Sequence, residues 1–235
     1  MKVAIMQPYF FPYIGYFQLI NSVDKFVIYD DIQYTKKGWI NRNRVLQNGK
    51  DCYISLPLKK ASNYLDVRDK YLADTWPKDR IKLLNKLSNC YRKAPYFHEV
   101  FPTIESIIQS NKNNLFDYLY HSIKELMDYL NITTEIVVSS SLNVDRTYKA
   151  EQKVIAICKE MNATHYINPI GGTELYSKYI FNQALINLQF LKSNNIIYSQ
   201  FNSEFIPWLS IIDVLMFNSS SKVNELLSLE YGLIQ

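Results

Sequence analysis

The chain has 235 residues, of which 48% are hydrophobic and 20% are charged, and its formal net charge is +4. These values are ordinary for a folded protein, and they exclude collagen-like, linker-like and nucleic-acid-coating classes. The three cysteines lie far apart without a CxxC pair, which excludes a disulfide framework, and no apolar run is long enough to span a membrane. We therefore expect one α/β domain over residues 1–235, located in the cytoplasm, with no nucleic-acid partner and no integral membrane association.

The first thirty residues predict a βαβ unit. Residues 2–6 form a short apolar run, residues 15–23 carry apolar side chains at helical spacing, and residues 25–31 are β-branched and aromatic. Strand, loop, helix and strand in this span indicate two parallel strands joined by a right-handed crossover.

The middle of the chain predicts a hairpin followed by three helices. Residues 44–58 read as two strands around Asn48-Gly49, a dipeptide typical of two-residue hairpin turns. Helical patterns cover residues 77–91, 97–110 and 115–130. We expect 77–130 to be a helical insertion or subdomain that covers the active-site cleft.

The last third returns to alternating strands and helices. The patterns predict strands at 134–140, 164–168 and 195–201, and helices at 150–161, near 178–189, at 208–217 and at 223–229. The predicted fold class is α/β, with a mostly parallel sheet, flanking helices and a Rossmann-like or nucleotidyltransferase-like first βαβ unit.

Four predicted loops leave the carboxyl ends of strands, where open parallel sheets bind their ligands: 7–15, 30–43, 168–176 and 200–207. In the first loop, Gly15 opens a helix, whose free N–H groups suit an anion. Tyr13-Ile14-Gly15-Tyr16 stands where adenylyl- and cytidylyltransferases carry His-x-Gly-His, with both histidines replaced by tyrosine. An ordinary βα turn is the alternative interpretation.

The second loop combines carboxylates with cations. Asp30-Asp31 ends the predicted second strand, where a carboxylate could hold Mg²⁺, act as a base or bind a sugar hydroxyl. Lys37 and Arg42 are candidates for binding a diphosphate, and a solvated surface is the alternative. Because side chains alternate along a strand, only one of the two aspartates can face the substrate.

The stretch from MQPYFFPYIGYF to WINRNRV, together with GGTELY (171–176) and FIPWLSIIDVLMFN (205–218), resembles the WbqC-like family of bacterial proteins. That family is found with gene clusters for O-antigen and other surface polysaccharides. Its pattern favours Asp30 over Asp31, and a glycine expected soon after Asn218 is replaced by Ser219-Ser220-Ser221. The binding residues that the loops and the resemblance imply are Gln7, Tyr9, Gly15, Gln33, Tyr34, Lys37, Asn41, Arg42, Asn43, Gly171, Gly172, Tyr176, Gln200 and Asp213.

The resemblance implies an enzyme of surface-glycan (lipopolysaccharide) biosynthesis that acts on a nucleotide-linked sugar. We favour a transferase that moves an acyl or aminoacyl group to an amino sugar, with Asp30, Tyr16 and His98 as catalytic candidates. His98 is alternatively a packed or surface histidine. ATP with Mg²⁺ is a candidate cofactor, no protein-held metal is expected, and a homodimer is left open. A glycosyl- or nucleotidyltransferase, and a non-catalytic sugar-nucleotide-binding scaffold, are the alternatives.

Overall fold

Eight strands form a main sheet and a separate hairpin in the computed structural model, which describes residues 1–201 and 204–234. The strands are β1 (Lys2–Met6), β2 (Lys25–Ile28), β3 (Arg42–Gln47), β4 (Lys50–Ser55), β5 (Glu135–Val138), β6 (His165–Pro169), β7 (Asn187–Ser193) and β8 (Tyr231–Ile234). The main sheet has the order β5-β2-β1-β6-β7-β8, and its first five strands are parallel. Only β8 runs antiparallel, beside β7. The predicted α/β fold class is therefore confirmed.

Across residues 1–201 and 204–234, eight α-helices connect and cover these strands. They are α1 (Ile14–Asn21), α2 (Trp76–Tyr91), α3 (Phe97–Gln109), α4 (Leu115–Tyr129), α5 (Ala150–Glu160), α6 (Lys178–Gln183), α7 (Ile211–Phe217) and α8 (Ser220–Leu229). The predicted βαβ unit is confirmed, because α1 joins the parallel neighbours β1 and β2. The chain then passes outward to β5 and returns through α5 to β6, on the other side of β1. This reversal makes the carboxyl edge between β1 and β6 a topological switch point, where open sheets bind ligands.

The alternation of side chains along the strands creates two cores. In β1, Ala4 packs with α1 and the helices of the middle segment, whereas Val3 and Ile5 pack with α5 and α6. We refer below to the α1 face and the α5 face of the sheet.

The hairpin and the three middle helices form as predicted, but the helices do not cover the site. Asn48 and Gly49 both have positive φ, as a tight hairpin turn requires. Helices α2, α3 and α4 bury their apolar stripes, such as Val100, Ile104 and Leu119, in the core of the α1 face. No residue of 77–130 lines the clefts described below, so the prediction of a covering insertion is wrong.

One strand was predicted in the wrong place. The strand expected at 195–201 lies instead at Asn187–Ser193, and the helix expected near 178–189 ends at Gln183. Leu185 has a φ of 61°, which breaks the helix and lets Leu188 and Phe190 enter the core of the α5 face. The later apolar run around Ile196 and Tyr198 packs against the α1-face core as a loop. No helix in the described residues is both long and apolar enough to cross a membrane.

Candidate functional site

Clefts open on both faces of the sheet at the edge where the parallel strands end. The largest, about 580 Å³, lies on the α5 face and is lined by the segments that follow β2 and β6 and by the start of α5. Two smaller lobes, about 290 and 190 Å³, lie on the α1 face and are lined by the segments that follow β1 and β7. We call the cleft on the α5 face the polar cleft, and the two lobes on the α1 face together the aromatic cleft. The first and fourth predicted loops line the aromatic cleft, the third lines the polar cleft, and the second lines both.

A buried ion pair forms one wall of the polar cleft. The Lys153 Nζ lies 2.8 Å from the Asp31 Oδ2, and the two side chains are 11% and 8% exposed. The ammonium also lies 4.8 Å from the centre of the Tyr29 ring, a cation–π contact. Each charge compensates the other at a place where both side chains are largely shielded from water.

Further charged groups line the same cleft. Arg68, Arg146 and Lys149 add three cations to Lys153, while Asp66 and Glu151 add two carboxylates to Asp31. The Glu151 carboxylate accepts a hydrogen bond from the backbone N–H of Ser177. The cleft thus has four cationic and three anionic side chains, an arrangement that suits a ligand bearing both negative charge and hydrogen-bond donors.

Asp66 is the carboxylate in the cleft that is least constrained by a partner. Its carboxylate lies 3.9 Å from the guanidinium of Arg68, which is beyond hydrogen-bond distance. Burial raises the pKa of Asp66 above its ordinary value, and the nearby Arg68 opposes that shift. A carboxyl with a raised pKa is a better proton acceptor than an exposed one.

The start of α5 presents backbone N–H groups at the cleft. Lys149 occupies the N-cap position, and its side chain makes no capping hydrogen bond. The first N–H groups of the helix therefore lack a side-chain acceptor at a point where Lys149, Ala150 and Glu151 line the cleft.

Three tyrosine rings provide apolar surface to the polar cleft: Tyr29, Tyr148 and Tyr176. Burial raises the pKa of Tyr29 and of Tyr176, so both are neutral hydroxyls at neutral pH. The Tyr176 ring packs edge-on against Tyr166, whose hydroxyl accepts a hydrogen bond from Asn168. These contacts fix the Tyr176 ring at the end of β6.

The structure places the two consecutive aspartates differently from the prediction, which put Asp30 nearest the substrate. Asp30 is 3% exposed, and its carboxylate accepts hydrogen bonds from the side chains of Ser139 and Ser140 and from the Ser140 N–H. Asp31 instead lines the polar cleft. Strand β2 ends at Ile28, so strand alternation does not separate the two side chains, and the Ser139 hydroxyl contacts both carboxylates. Of the two, Asp31 lines the cleft.

Of the predicted residues in the second loop, only Gln33 lines the polar cleft. Tyr34 donates a hydrogen bond to the Asn41 side chain, which itself donates to the Leu56 carbonyl. Arg42 donates to the carbonyls of Gly38 and Lys37, so its guanidinium closes its own loop. The Lys37 side chain is exposed and lines neither cleft.

The predicted residues around the first loop are mostly structural in their contacts. Tyr16 is buried and donates a hydrogen bond to the Gln7 carbonyl. Gly15 lies directly under the Tyr13 ring, where a Cβ atom would come within 2.4 Å of ring atoms. Tyr9 and Asn43 line the smaller lobe of the aromatic cleft. His98 is exposed in the first turn of α3 and lines neither cleft.

Gln200 and Asp213 form a buried hydrogen-bond network. The Asp213 carboxylate accepts hydrogen bonds from Tyr91, Tyr198 and Gln200, at 2.8, 2.8 and 2.6 Å. Burial raises the pKa of Asp213, and these donors oppose the shift. The network fixes the segment that forms one wall of the aromatic cleft. Gln200 and Asp213 themselves are buried beneath that wall.

Gly171 and Gly172, which follow β6, differ in what surrounds them. A Cβ on Gly172 would lie 2.0 Å from the Oδ1 of Asn168, whereas a Cβ on Gly171 would meet nothing within 4 Å. Gly172→Ala is therefore expected to lower the free energy of unfolding by about 1–3 kcal/mol, because it displaces the buried Asn168. Gly171→Ala is expected to change it by less than about 0.5 kcal/mol. Urea unfolding of both variants measures the difference, and equal effects would contradict the close contact.

Several residues of the polar cleft were missed by the sequence predictions: Asp66, Arg68, Arg146, Tyr148, Lys149, Glu151 and Lys153. They belong to two charged clusters, DVRDK at 66–70 and DRTYKAEQK at 145–153. The second cluster immediately precedes and enters a predicted helix, and that position was the available signal. In the described residues, no three His, Cys, Asp or Glu side chains are grouped as metal ligands.

The chain is thus an α/β protein with a mostly parallel sheet and with clefts at the edge where the parallel strands end. The chain belongs to the WbqC-like protein family, whose sequence model matches residues 7–225. It is similar to the uncharacterized protein Rv1507c of Mycobacterium tuberculosis (strain ATCC 25618 / H37Rv), with 28% identity over 230 residues, covering 96% of this chain and 97% of the relative. No solved structure matches the chain.

Proposed function

We propose that this protein is a transferase that binds a nucleotide-linked sugar in the polar cleft and transfers an acyl or aminoacyl group to an amino group of that sugar. The observation that carries the proposal is the set of four cations, Arg68, Arg146, Lys149 and Lys153, beside the uncapped start of α5. A diphosphate needs this combination of charge and N–H donors. The surface-polysaccharide context implied by the family resemblance supplies substrates of this class.

The rest of the cleft suits the remaining parts of such a ligand. Its volume of about 580 Å³ lies within the range of small-molecule sites. The Tyr148 and Tyr176 rings offer surfaces on which a base or a sugar can stack. Asp31 and Gln33 offer hydrogen-bond partners for sugar hydroxyls.

The proposed chemistry needs a proton acceptor, and we assign that role to Asp66. The amine nitrogen of the sugar attacks the carbonyl carbon of an activated acyl donor, a C–N bond forms, and the bond to the leaving group breaks. The proton released by the amine passes to the Asp66 carboxylate. Asp31 is committed to Lys153 and Glu151 to the Ser177 N–H, so Asp66 is the available base. If ATP with Mg²⁺ activates the donor carboxylate, the leaving group is AMP.

This assignment moves the chemistry away from Asp30. The Asp30 carboxylate binds Ser139 and Ser140 and so holds the end of β2 from which Asp31 projects. In the proposed mechanism Asp30 is a positioning residue, and Tyr16 and His98 take no step.

The proposal is tested first by ligand binding. Thermal shifts are measured with UMP, UDP, UDP-glucosamine, UDP-N-acetylglucosamine and ATP with Mg²⁺; a bound ligand at one hundred times its Kd stabilises by about 2.7 kcal/mol. We expect the diphosphates to stabilise the protein more than UMP does. Lys149→Ala, at the start of α5, should weaken binding at least about tenfold, which corresponds to about 1.4 kcal/mol. Lys159→Ala, an exposed lysine at the other end of the same helix, is the matched control and should bind normally.

The second arm tests catalysis with UDP-glucosamine, ATP, Mg²⁺ and a mixture of amino acids, with mass spectrometry of the sugar nucleotide as the readout. We expect the wild type to add an acyl mass, and Asp66→Asn to bind normally but react about 10²–10⁴-fold more slowly. Binding without any transfer would favour the scaffold alternative. A protein that responds to none of the diphosphates would overturn the proposal.

A further inference from the structure

The aromatic cleft on the α1 face is separate from the polar cleft and takes no part in the proposed reaction. Its two lobes share a wall formed by Tyr13 and Trp208, whose rings meet edge-on with centroids 6.0 Å apart. Trp39 closes the smaller lobe. These rings are anchored by the first loop, the second loop and the segment after β7, so three distant parts of the chain build this one surface.

The position of Trp208 is maintained against a backbone preference. Its φ is 61°, a conformation that bulky residues rarely adopt, and its side chain remains 56% exposed. The backbone is held there because the Trp208 carbonyl accepts a hydrogen bond from Arg44 and the next residues enter the buried start of α7. A strained residue that presents a large exposed ring is a feature of binding surfaces.

The charge of the aromatic cleft indicates a neutral ligand. Among the described residues that line the two lobes, Arg44 is the one that is charged, and its guanidinium is paired with Asp51 at 3.1 Å. The described lining offers a phosphate no unpaired cation, in contrast to the four cations of the polar cleft. The aromatic cleft therefore suits an uncharged ligand.

Polar atoms in the cleft argue against a purely aliphatic ligand. Ser193 and Asn194 line the larger lobe with a hydroxyl and a carboxamide. The exposed Asn195 adds a carboxamide to the rim of the larger lobe. A neutral ligand with one flat apolar face and hydroxyl acceptors matches this set.

We infer that the aromatic cleft binds a neutral pyranose ring of an oligosaccharide, as a second site that goes beyond the proposed reaction. The C–H face of a pyranose is positively polarised and packs on the negative face of an aromatic ring, here Trp208 or Trp39. Its hydroxyls pair with the carboxamides of Asn194 and Asn195 at the rim. Because the two clefts open on opposite faces of the sheet, this site can be filled whether or not a nucleotide is bound.

Tryptophan fluorescence tests the inference directly. Two of the three tryptophans, Trp39 and Trp208, lie in the cleft, while Trp76 is buried in the core and serves as an internal reference. The probes are maltotriose, cellotriose, chitotriose and lactose, each titrated to about 10 mM, since stacking with few hydrogen bonds gives a Kd on the order of 1 mM. We expect at least one of these sugars to change the emission with saturation.

Variants separate the cleft from other aromatic surface. Trp208→Ala and Trp39→Ala should each raise the Kd for the sugar at least about tenfold. Tyr179→Ala, a 70% exposed ring outside the cleft, should leave it unchanged, and urea midpoints confirm that each variant is folded. No response to any of the sugars would overturn the inference, as would a response to uridine or adenosine that Trp208→Ala abolishes, which would mark a nucleobase site. Neither result bears on diphosphate binding, which Lys149→Ala tests independently.

Discussion

Replacing Lys153 by methionine is expected to lower the free energy of unfolding by about 3–5 kcal/mol, because the Asp31 carboxylate would remain buried without its cation. Methionine keeps the length and the apolar stem of the side chain, so the loss reports on charge more than on packing. Urea unfolding at neutral pH measures it. The same variant should lose diphosphate binding, since Lys153 is one of the four cations of the polar cleft.

The control for this prediction is an exposed ion pair with the same distance between nitrogen and oxygen. Lys222 and Glu225 also lie 2.8 Å apart, but their side chains are 46% and 47% exposed, so Lys222→Met should cost less than about 0.5 kcal/mol. The double variant Asp31→Asn with Lys153→Met removes both buried charges and should be more stable than Lys153→Met alone. If Lys153→Met costs no more than Lys222→Met, the pair is not buried in the manner described.

Replacing Asp213 by alanine is expected to lower the free energy of unfolding by about 3–5 kcal/mol, because three buried donors would lose their acceptor together. Those donors are the hydroxyls of Tyr91 and Tyr198 and the amide of Gln200. The Tyr91 hydroxyl also accepts the N–H of Leu46, so the loss spreads from α7 through α2 to the hairpin. Tyr198→Phe removes one donor and should cost about 1 kcal/mol, a matched partial deletion.

The same carboxyl gives a signed pH dependence. Burial raises the folded-state pKa of Asp213 above its unfolded value of about 3.9, so the native state holds the proton more tightly. The stability that this group contributes is complete below the unfolded pKa and declines as the pH rises through the folded pKa. Relative to Asp213→Asn, the wild type should therefore be most favoured near the unfolded pKa and less favoured at neutral pH. A wild-type advantage that grows with pH would contradict the raised pKa.

The order of elements could be predicted from the sequence because the signals were local. Alternation and helical spacing located β1, α1 and β2, and Asn48-Gly49 located the hairpin turn. Strand β7 was misplaced because the loop around Ile196 is as apolar as a strand, and its packing against the α1-face core as a loop is a tertiary feature.

The edge of the sheet at which the candidate site lies could be predicted from the sequence, but the face of the sheet could not. The prediction that strand alternation separates Asp30 from Asp31 did not apply, because β2 ends at Ile28. Which of the two lines the cleft depends on where α5 lies, and no local pattern contains that information. The cation cluster near Lys37 and Arg42 resembled a phosphate site, yet Arg42 binds the carbonyls of its own loop. The cations of the polar cleft come instead from two segments that are distant in the chain. Arg68 and Arg146 are 78 residues apart, and only the fold brings them together.

The central claim, that a diphosphate-linked sugar binds in the polar cleft, is tested most directly by a crystal structure of the protein with UDP-glucosamine. We expect diphosphate oxygens within hydrogen-bond distance of Lys149 and Arg146 or of the first N–H groups of α5. The amino group of the sugar should lie near the Asp66 carboxylate. A diphosphate bound at Lys37 and Arg42, or a nucleotide seated against Trp208 in the aromatic cleft, would contradict it.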